Sequence, residues 1–130
     1  MFKFTINVAP TTKKNHGRII FNKKTKKRRF IPSEAYEEYL KKARPFIPKL
    51  HIDAPVNIKA VFYMKARYKV DLTNLNEALH DVLVSCGCIE DDNCRIVVST
   101  DGSRVDYDRE NPRTEVEIEP VEGYVHPFDK

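Results

Sequence analysis

The sequence is poor in glycine and cysteine, contains no long apolar run, and has no acidic residue in its first 33 positions. With four glycines in 130 residues, it offers no glycine-rich loop that could cradle a phosphate group. No apolar run approaches the ~20 residues that a membrane-spanning helix needs. The N-terminus also lacks the apolar core of a signal peptide. We therefore expect a cytoplasmic protein with no role in a membrane.

The few cysteines exclude a disulfide-based fold. Cys86, Cys88 and Cys94 are odd in number and close together, which is typical of free thiols in a protein that is not secreted. We expect Cys88 and Cys94 to be core thiols. A zinc site is the alternative, but it needs a fourth ligand, for which His80 is the nearest candidate. The histidines are scattered, and none lies in a nucleophile motif.

What the sequence has in abundance is charge, distributed unevenly. Hydrophobic residues make up 41% and charged residues 32%, which indicates a globular chain, and the length fits a single domain over residues 1–130. Residues 1–33 carry ten Lys or Arg and no acid, whereas residues 90–130 carry five basic and twelve acidic residues. We interpret residues 11–30 as a basic arm and residues 121–130 as a short tail. The arm favours a polyanionic partner.

The basic arm is the first candidate for nucleic-acid binding. Residues 13–29 hold nine Lys or Arg, a density suited to neutralising DNA phosphates. The alternative is a solvated hairpin or a flexible tip. Three further cationic residues, Lys65, Arg67 and Lys69, precede Asp71 in the sequence. They either contact DNA or offset the negative charge of the acids that follow. The predicted DNA-binding residues are Lys13, Lys14, Arg18, Lys23, Lys24, Lys26, Lys27, Arg28, Arg29, Lys65, Arg67 and Lys69.

Hydrophobic periodicity predicts an α+β fold, with two main helices on one face of a mixed sheet. Strands are predicted at residues 2–8, 56–64, 94–99 and 114–119, and the strand at 56–64 is expected to be central. One helix begins near Ser33, which is the expected cap, and buries Tyr36 and Tyr39. Residues 104–112 are predicted to be a polar loop, and the chain from residue 123 a tail.

The second helix, predicted from about residue 72 to 85, lies between two groups of acids. Thr73 or Asn74 is expected to cap its start, and Gly87 to end it. The helix is roughly 20 Å long at ~1.5 Å per residue. The segment from residue 86 to 91 can span about the same distance when extended. Asp91 and Asp92 can therefore return to Asp71, where carboxylates suit a divalent metal. The alternative for these acids is N-capping and a surface turn.

The stretch Asp71-Leu-Thr-Asn74, followed by a helix, Gly87 and Asp91-Asp92, resembles the core signature of the RusA family of Holliday junction resolvases. That signature is Asp-x-Asp-Asn-x-x-Lys, a helix, a Gly and Asp-Asp. The opening residues 4–6, the helix start at 31–36 and the strand at 112–118 are similar to phage-encoded members. The resemblance implies a RusA-like fold and a homodimeric, Mg²⁺-dependent endonuclease that cuts four-way junctions, with Mn²⁺ as a substitute metal.

The same resemblance implies which residues form the site. Asp71, Asp91 and Asp92 are the implied catalytic residues and metal ligands, with Asn74 supporting them. The chain departs from the family pattern at Thr73, where the family has Asp, and at Glu77, where it has Lys. Glu77 lies one helical turn after Thr73 and is a candidate replacement ligand. A junction binder that does not cut is the competing interpretation, followed by a structural or regulatory phage protein.

Overall fold

The computed structural model describes residues 1–12, 18–31 and 34–130 of the chain. Its strands are β1 (Phe2–Ile6), β2 (Arg18–Asn22), β3 (Lys27–Ile31), β4 (Val56–Met64), β5 (Val97–Ser99), β6 (Arg104–Tyr107) and β7 (Arg113–Pro120). Its α-helices are α1 (Glu34–Ala43) and α2 (Leu72–Ser85), and short 3₁₀ helices span Arg44–Phe46 and Pro127–Asp129. Within the described ranges, no helix is long and apolar enough to cross a membrane. Lys13, Lys14 and the expected cap Ser33 lie outside these ranges.

β4 is the central strand of the main sheet, as its alternation of apolar residues predicts. On one side it pairs antiparallel with β7, which in turn pairs antiparallel with β1. On the other side it pairs in parallel with β5 near its start and with β6 near its end. The sheet is therefore mixed. After α2 the chain forms β5 and β6, which pair with β4 on the side opposite β7.

Both helices contribute to one hydrophobic core on a single face of this sheet. The even-numbered side chains of β4, from Val56 to Met64, are at most 3% exposed and form the floor of that core. Tyr36 and Tyr39 of α1 pack into it, as predicted, together with the apolar stripe of α2. Burying such a stripe stabilises a helix far more than its intrinsic propensity does. The predicted α+β class is confirmed.

The opposite face of the sheet is polar. Glu117 on β7 forms ion pairs with Lys3 of β1 at 3.4 Å and with Lys59 of β4 at 3.7 Å. These residues share one register row across the three strands. The outward acids of β7 therefore mark a solvent-facing surface rather than a free edge, because β7 has a neighbour on each side.

β1 ends at Ile6 rather than at the predicted Val8, and three further segments differ from the prediction. β5 covers residues 97–99 rather than 94–99, because the backbone carbonyl of Asn93 accepts the N–H groups of Ile96 and Val97 and holds the preceding residues in a turn. β6 lies inside the predicted polar loop, and all four of its residues are exposed. The C-terminal tail contains a 3₁₀ helix preceded by His126, which is only 8% exposed.

The three cysteines are free thiols, as predicted. Cys86 and Cys88 are buried, whereas Cys94 is exposed, so the prediction of Cys94 as a core thiol is wrong. Burial raises the pKa of Cys86, and it raises the pKa of Cys88 to about 11.

The part of the basic arm that the structure describes from residue 18 onward is a hairpin in its own two-stranded sheet, in which β2 pairs antiparallel with β3. The side chain of Asn22 accepts the N–H of Lys24 at 2.9 Å, and its backbone carbonyl accepts the N–H of Lys26 at 2.8 Å. Lys26 has a positive φ of 56°, the left-handed conformation that closes the turn. Of the two alternatives left open by the sequence, a hairpin or a flexible tip, residues 18–31 form a hairpin.

Candidate active site

The first predicted site residue, Asp71, is fixed by the start of α2. Its backbone is extended (φ −85°, ψ 117°), and its Oδ1 accepts the N–H of Thr73 at 2.9 Å. Asp71 is thus the N-cap, and the prediction of Thr73 or Asn74 as cap is wrong. An acid is well suited to this position because the first turn of a helix leaves N–H groups unpaired and carries a partial positive charge.

The end of α2 is set by Gly87, as predicted. The Gly87 N–H donates to the carbonyl of Val84 at 3.1 Å, and the φ of 76° at Gly87 lets the Cys88 N–H reach the carbonyl of Leu83 at 2.9 Å. This pair of bonds is a Schellman motif, which turns the chain back on itself. A Cβ at Gly87 would lie 3.2 Å from the ring of His51, so the position also needs a small residue.

The chain then runs back beside the segment that precedes β4. Ile52 and Ile89 form a parallel bridge, and the N–H of Glu90 donates to the carbonyl of Ile52 at 2.8 Å. His51 Nδ1 also contacts Glu90 Oε1 at 3.1 Å. These contacts hold the return segment in place, and the two aspartates follow directly after it.

Asp91 organises the acidic turn. Its Oδ1 accepts the N–H of Asp92 at 2.8 Å, and its Oδ2 accepts the side-chain amide of Asn93 at 2.9 Å. These bonds, with that from Asn93 first, hold the pKa of Asp91 below its usual value. Asn93 in turn accepts the N–H of Arg95 through its Oδ1 at 2.9 Å. Asn93 is a residue that the sequence prediction missed, although Asp-Asp-Asn is a recognisable turn sequence.

Asp92 lies against α2. It lines a cleft of about 350 Å³ together with Thr100 and with residues from one face of the helix. Those helical residues are Thr73, Asn76, Glu77 and His80. Their spacing of three and four positions places them on one face, so that the polar surface of α2 meets the acidic turn. Asp92 and Glu77, which were predicted as ligands of one metal site, therefore line the same cleft.

The other predicted ligands lie next to this cleft. Asp71 adjoins it through the hydrogen bond to Thr73, and Asp91 adjoins it through the turn. Asn74 is half-buried on α2 and is not among the lining residues. Within residues 1–12, 18–31 and 34–130, no group of three or more His, Cys, Asp or Glu side chains is arranged to hold a metal ion.

Asn76 and His80 are further residues that the sequence prediction did not place in the site. Among the described residues, Asn76 Oδ1 and His80 Nε2 are buried without a hydrogen-bond partner. Such atoms are costly and suggest a site that uses them. Burial lowers the pKa of His80, and the nearby Asp92 and Asp81 oppose that shift. The polar spacing from Thr73 to His80 on an otherwise apolar helix was the signal that could have identified them.

The predicted DNA-binding side chains that the structure describes are exposed. Lys23, Lys24, Lys26, Lys27 and Arg28 surround the tip of the hairpin. Arg18 and Arg29 are described by their backbone positions, in β2 and β3. Lys65, Arg67 and Lys69 lie on the exposed segment between β4 and α2, and the Arg67 guanidinium lies 4.6 Å from the ring centre of Tyr107 on β6.

Comparison with known proteins gives one match to a family. Residues 7–119 match the family model described as endodeoxyribonuclease RusA. The match includes the hairpin, α2, the acidic turn and all but the last residue of β7, and it spans most of the 130 residues. No curated protein matches the sequence.

Proposed function

The chain belongs to the RusA family of endodeoxyribonucleases, and from that premise we propose that it is a Mg²⁺-dependent enzyme that resolves four-way DNA junctions. Membership of the family implies Holliday junction resolvase activity in DNA recombination. RusA-family nucleases bind branched DNA and generally depend on a divalent metal. The observation that carries the proposal is the cleft lined by Asp92, Glu77 and the polar face of α2.

The residues around the cleft fit a hard divalent cation. Mg²⁺ prefers oxygen ligands and is commonly held by one or two carboxylates, with water and substrate phosphates completing its shell. Asp92 and Glu77 provide carboxylates at the cleft, and Asn76 Oδ1 is a buried amide oxygen on the same helix face. We assign Asp71, Asp91 and Asp92 as the metal ligands, with Glu77 in place of the acid missing at Thr73. Mn²⁺, which takes similar ligands, is a substitute.

A bound divalent ion supplies Lewis-acid stabilisation of the phosphate and lowers the pKa of a water molecule. The residues of the chain position the groups that would hold the ion. Asp71 ties the start of α2 to the site through Thr73, and the hydrogen bonds of Asp91 fix the turn that presents Asp92. Asn74, on the first turn of α2, supports the ligands without binding the metal itself.

The cations bind the DNA backbone rather than particular bases. Clustered Lys and Arg neutralise phosphates and release counterions, which gives affinity without sequence information. The exposed hairpin tip presents five such residues that the structure describes, and Lys65, Arg67 and Lys69 lie on the segment that leads into Asp71. We propose that the hairpin holds one arm of the junction and that this segment follows the DNA toward the cleft.

The proposed enzyme is a homodimer, because symmetric resolution requires two sites that cut opposed strands. It acts in the cytoplasm of a bacterial cell and derives from a phage or prophage, as the similarity to phage-encoded members suggests. Light scattering over a concentration series tests the dimer. A mass equal to that of one chain at tens of micromolar protein would exclude it.

A junction binder that does not cut is the second candidate. Two observations favour it: Thr73 stands in the cleft where the family has Asp, and the Asp71 carboxylate already caps α2. Incubation with a synthetic four-way junction in Mg²⁺, Mn²⁺ or a chelator separates the two. We expect paired symmetric cuts with either metal and none with the chelator. Junction binding without cuts would favour the second candidate, and no binding at low salt would contradict both.

A further inference from the structure

Phe21, near the end of β2, is an aromatic side chain that the fold leaves in solvent. It is 54% exposed, and every residue from 21 to 28 is exposed. Among the described residues, Phe21 is neither in the hydrophobic core nor packed against it. A single exposed apolar side chain is common on protein surfaces, so its surroundings decide which partner it fits.

The surroundings of Phe21 are cationic. Phe21 pairs with Arg28 across the hairpin, so the two side chains lie on the same face of the two strands. The residues of the turn add four more cations, which are Lys23, Lys24, Lys26 and Lys27. In the described part of the chain, none of these cations forms an ion pair with an acid. The positive charge around the ring is therefore not offset.

The shape of the hairpin presents this ring close to its tip. Phe21 and Arg28 form the next-to-last residue pair before the turn. The Asn22 side chain accepts the N–H groups of Lys24 at 2.9 Å and Thr25 at 3.3 Å, which fixes the turn. A ribbon of two strands is narrow enough to enter a groove of DNA. The hairpin can therefore carry the ring in among the phosphates that its cations contact.

A partner for this surface needs negative charge together with flat apolar faces, which is the chemistry of nucleic acid. Bases stack on exposed aromatic rings whatever their sequence, because every base has a π-face. Inside a continuous duplex, each base pair is covered by a neighbour on both faces. At a branch point the arms diverge, and the last base pair of an arm has a face that a ring can cover. Branched DNA thus offers Phe21 a contact that linear DNA lacks.

We propose that Phe21 stacks on an open base face at the branch point of a DNA junction, so that the hairpin distinguishes branched from linear DNA. The proposal rests on the proposed function for its substrate, but it concerns binding and not cleavage. The cations of the hairpin contact phosphates, which every duplex has, and supply affinity. The Phe21 ring contacts a face that only the branch point exposes, and supplies selectivity.

The first test measures the affinity of the full chain for a four-way junction and for a linear duplex of the same arm sequence, in the presence of a chelator. We expect Phe21→Ala to weaken junction binding about tenfold or more, and duplex binding less than about twofold. The salt dependence of both should stay unchanged, because no phosphate contact is lost. Phe128→Ala, which removes a phenylalanine that is 78% exposed outside the hairpin, should leave both affinities unchanged.

Three outcomes of this test would overturn the proposal. They are equal affinity of the native chain for the two DNAs, native junction affinity in Phe21→Ala, and an equal loss of junction and duplex affinity in that variant. Light scattering adds a check on the partner. A mass that differs between Phe21→Ala and the native protein would assign the ring to an interface between copies of this chain and contradict its role at the branch point.

A second test reports on the ring itself. The sequence contains no tryptophan, so Phe21→Trp introduces a fluorescent ring without background from other tryptophans. We expect saturating junction to quench its emission more strongly than saturating duplex, because stacking on a base quenches an indole. Emission from Phe128→Trp should change little with either DNA. Equal quenching of Phe21→Trp by the two DNAs, or none by the junction, would contradict the proposal.

Neither test depends on cutting, so the two proposals can fail separately. A native chain that binds the junction selectively through Phe21 but makes no cuts with any divalent metal would contradict the proposed enzyme and support the role of Phe21. Metal-dependent cutting together with full junction selectivity in Phe21→Ala would contradict the role of Phe21 alone.

Discussion

Asp71 caps α2 and is also a proposed metal ligand, so its substitutions have to separate the two roles. Asn caps a helix about as well as Asp but carries no charge. Ala provides neither a cap nor a charge. We expect Asp71→Asn to keep the free energy of unfolding within a few tenths of a kcal/mol of the native value. The same variant should lose cleavage by about a hundredfold or more, since the metal supplies several kcal/mol.

Asp71→Ala should lose cleavage and also about 1 kcal/mol of stability, because the Thr73 N–H is left without its acceptor. Urea unfolding and junction cleavage, measured on both variants, distinguish the two roles. Native-level cleavage by Asp71→Asn would remove Asp71 from the metal site and leave it as a cap only.

Glu77 tests whether the site has replaced the acid that the family has at position 73. We expect Glu77→Gln to lower cleavage about tenfold to a hundredfold, because the cleft loses one of its carboxylates. Adding Thr73→Asp to that variant should restore much of the activity, since Thr73 lines the same cleft. Full activity in Glu77→Gln alone would show that Thr73 is tolerated without any replacement. Glu38→Gln, on the exposed side of α1, is the control for lost charge.

The lowered pKa of His80 predicts that the stability of the protein depends on pH. Burial lowers the pKa of His80 from its usual 6.5, so below that pH the unfolded chain binds the proton more readily than the folded chain. The contribution of His80 is present above about pH 6.5 and is lost as the pH falls through the folded-state value. We expect the free energy of unfolding to fall less between about pH 7.5 and about pH 5.5 in His80→Gln than in the native protein. Equal falls in urea titrations would count against a buried, neutral His80.

At the scale of the element, strong and continuous patterns predicted the structure well. α2 follows from its apolar spacing and Gly87, and β4 from its strict alternation. β6 could not be predicted, because all four of its side chains are exposed and only backbone pairing to β4 makes it a strand. The start of β5 was misplaced because Asn93 holds the next residues in a turn, a local bond that apolar alternation does not reveal.

The hairpin formed by β2 and β3 is the element that we expect to dominate DNA affinity. Lys23→Gln with Lys24→Gln should weaken binding to junctions and to linear duplexes alike. It should also reduce the slope of log affinity against log salt by up to about two units, since each phosphate contact contributes ~0.9. Lys41→Gln with Lys49→Gln removes the same charge from exposed positions outside the hairpin and should have a smaller effect. Equal effects of the two pairs in a salt titration would indicate a general charge effect only.

At the scale of the whole molecule, the fold explains how distant parts of the sequence meet in one cleft. The distance that residues 86–91 can span predicted that Asp91 and Asp92 could return to the start of α2. In the structure, Asp92 lines a cleft with that helix. Chain length could not predict that Asp71 would cap α2 or that Asp91 would accept a hydrogen bond from the Asn93 side chain. Those details depend on which backbone N–H groups each turn leaves unpaired. His80 was considered only as a zinc ligand, and its place in this cleft was missed because the polar spacing from Thr73 to His80 was not used.

Cleavage of a synthetic four-way junction by the native chain and by Asp92→Asn is the most direct test of the proposed active site. Glu119→Gln is the control, because it removes one negative charge from the solvent face of β7, on the far side of the sheet from α2. We predict paired symmetric cuts in Mg²⁺ by the native protein and by Glu119→Gln, and junction binding without cuts by Asp92→Asn. Native-level cleavage by Asp92→Asn would contradict the assignment of the cleft as the catalytic site.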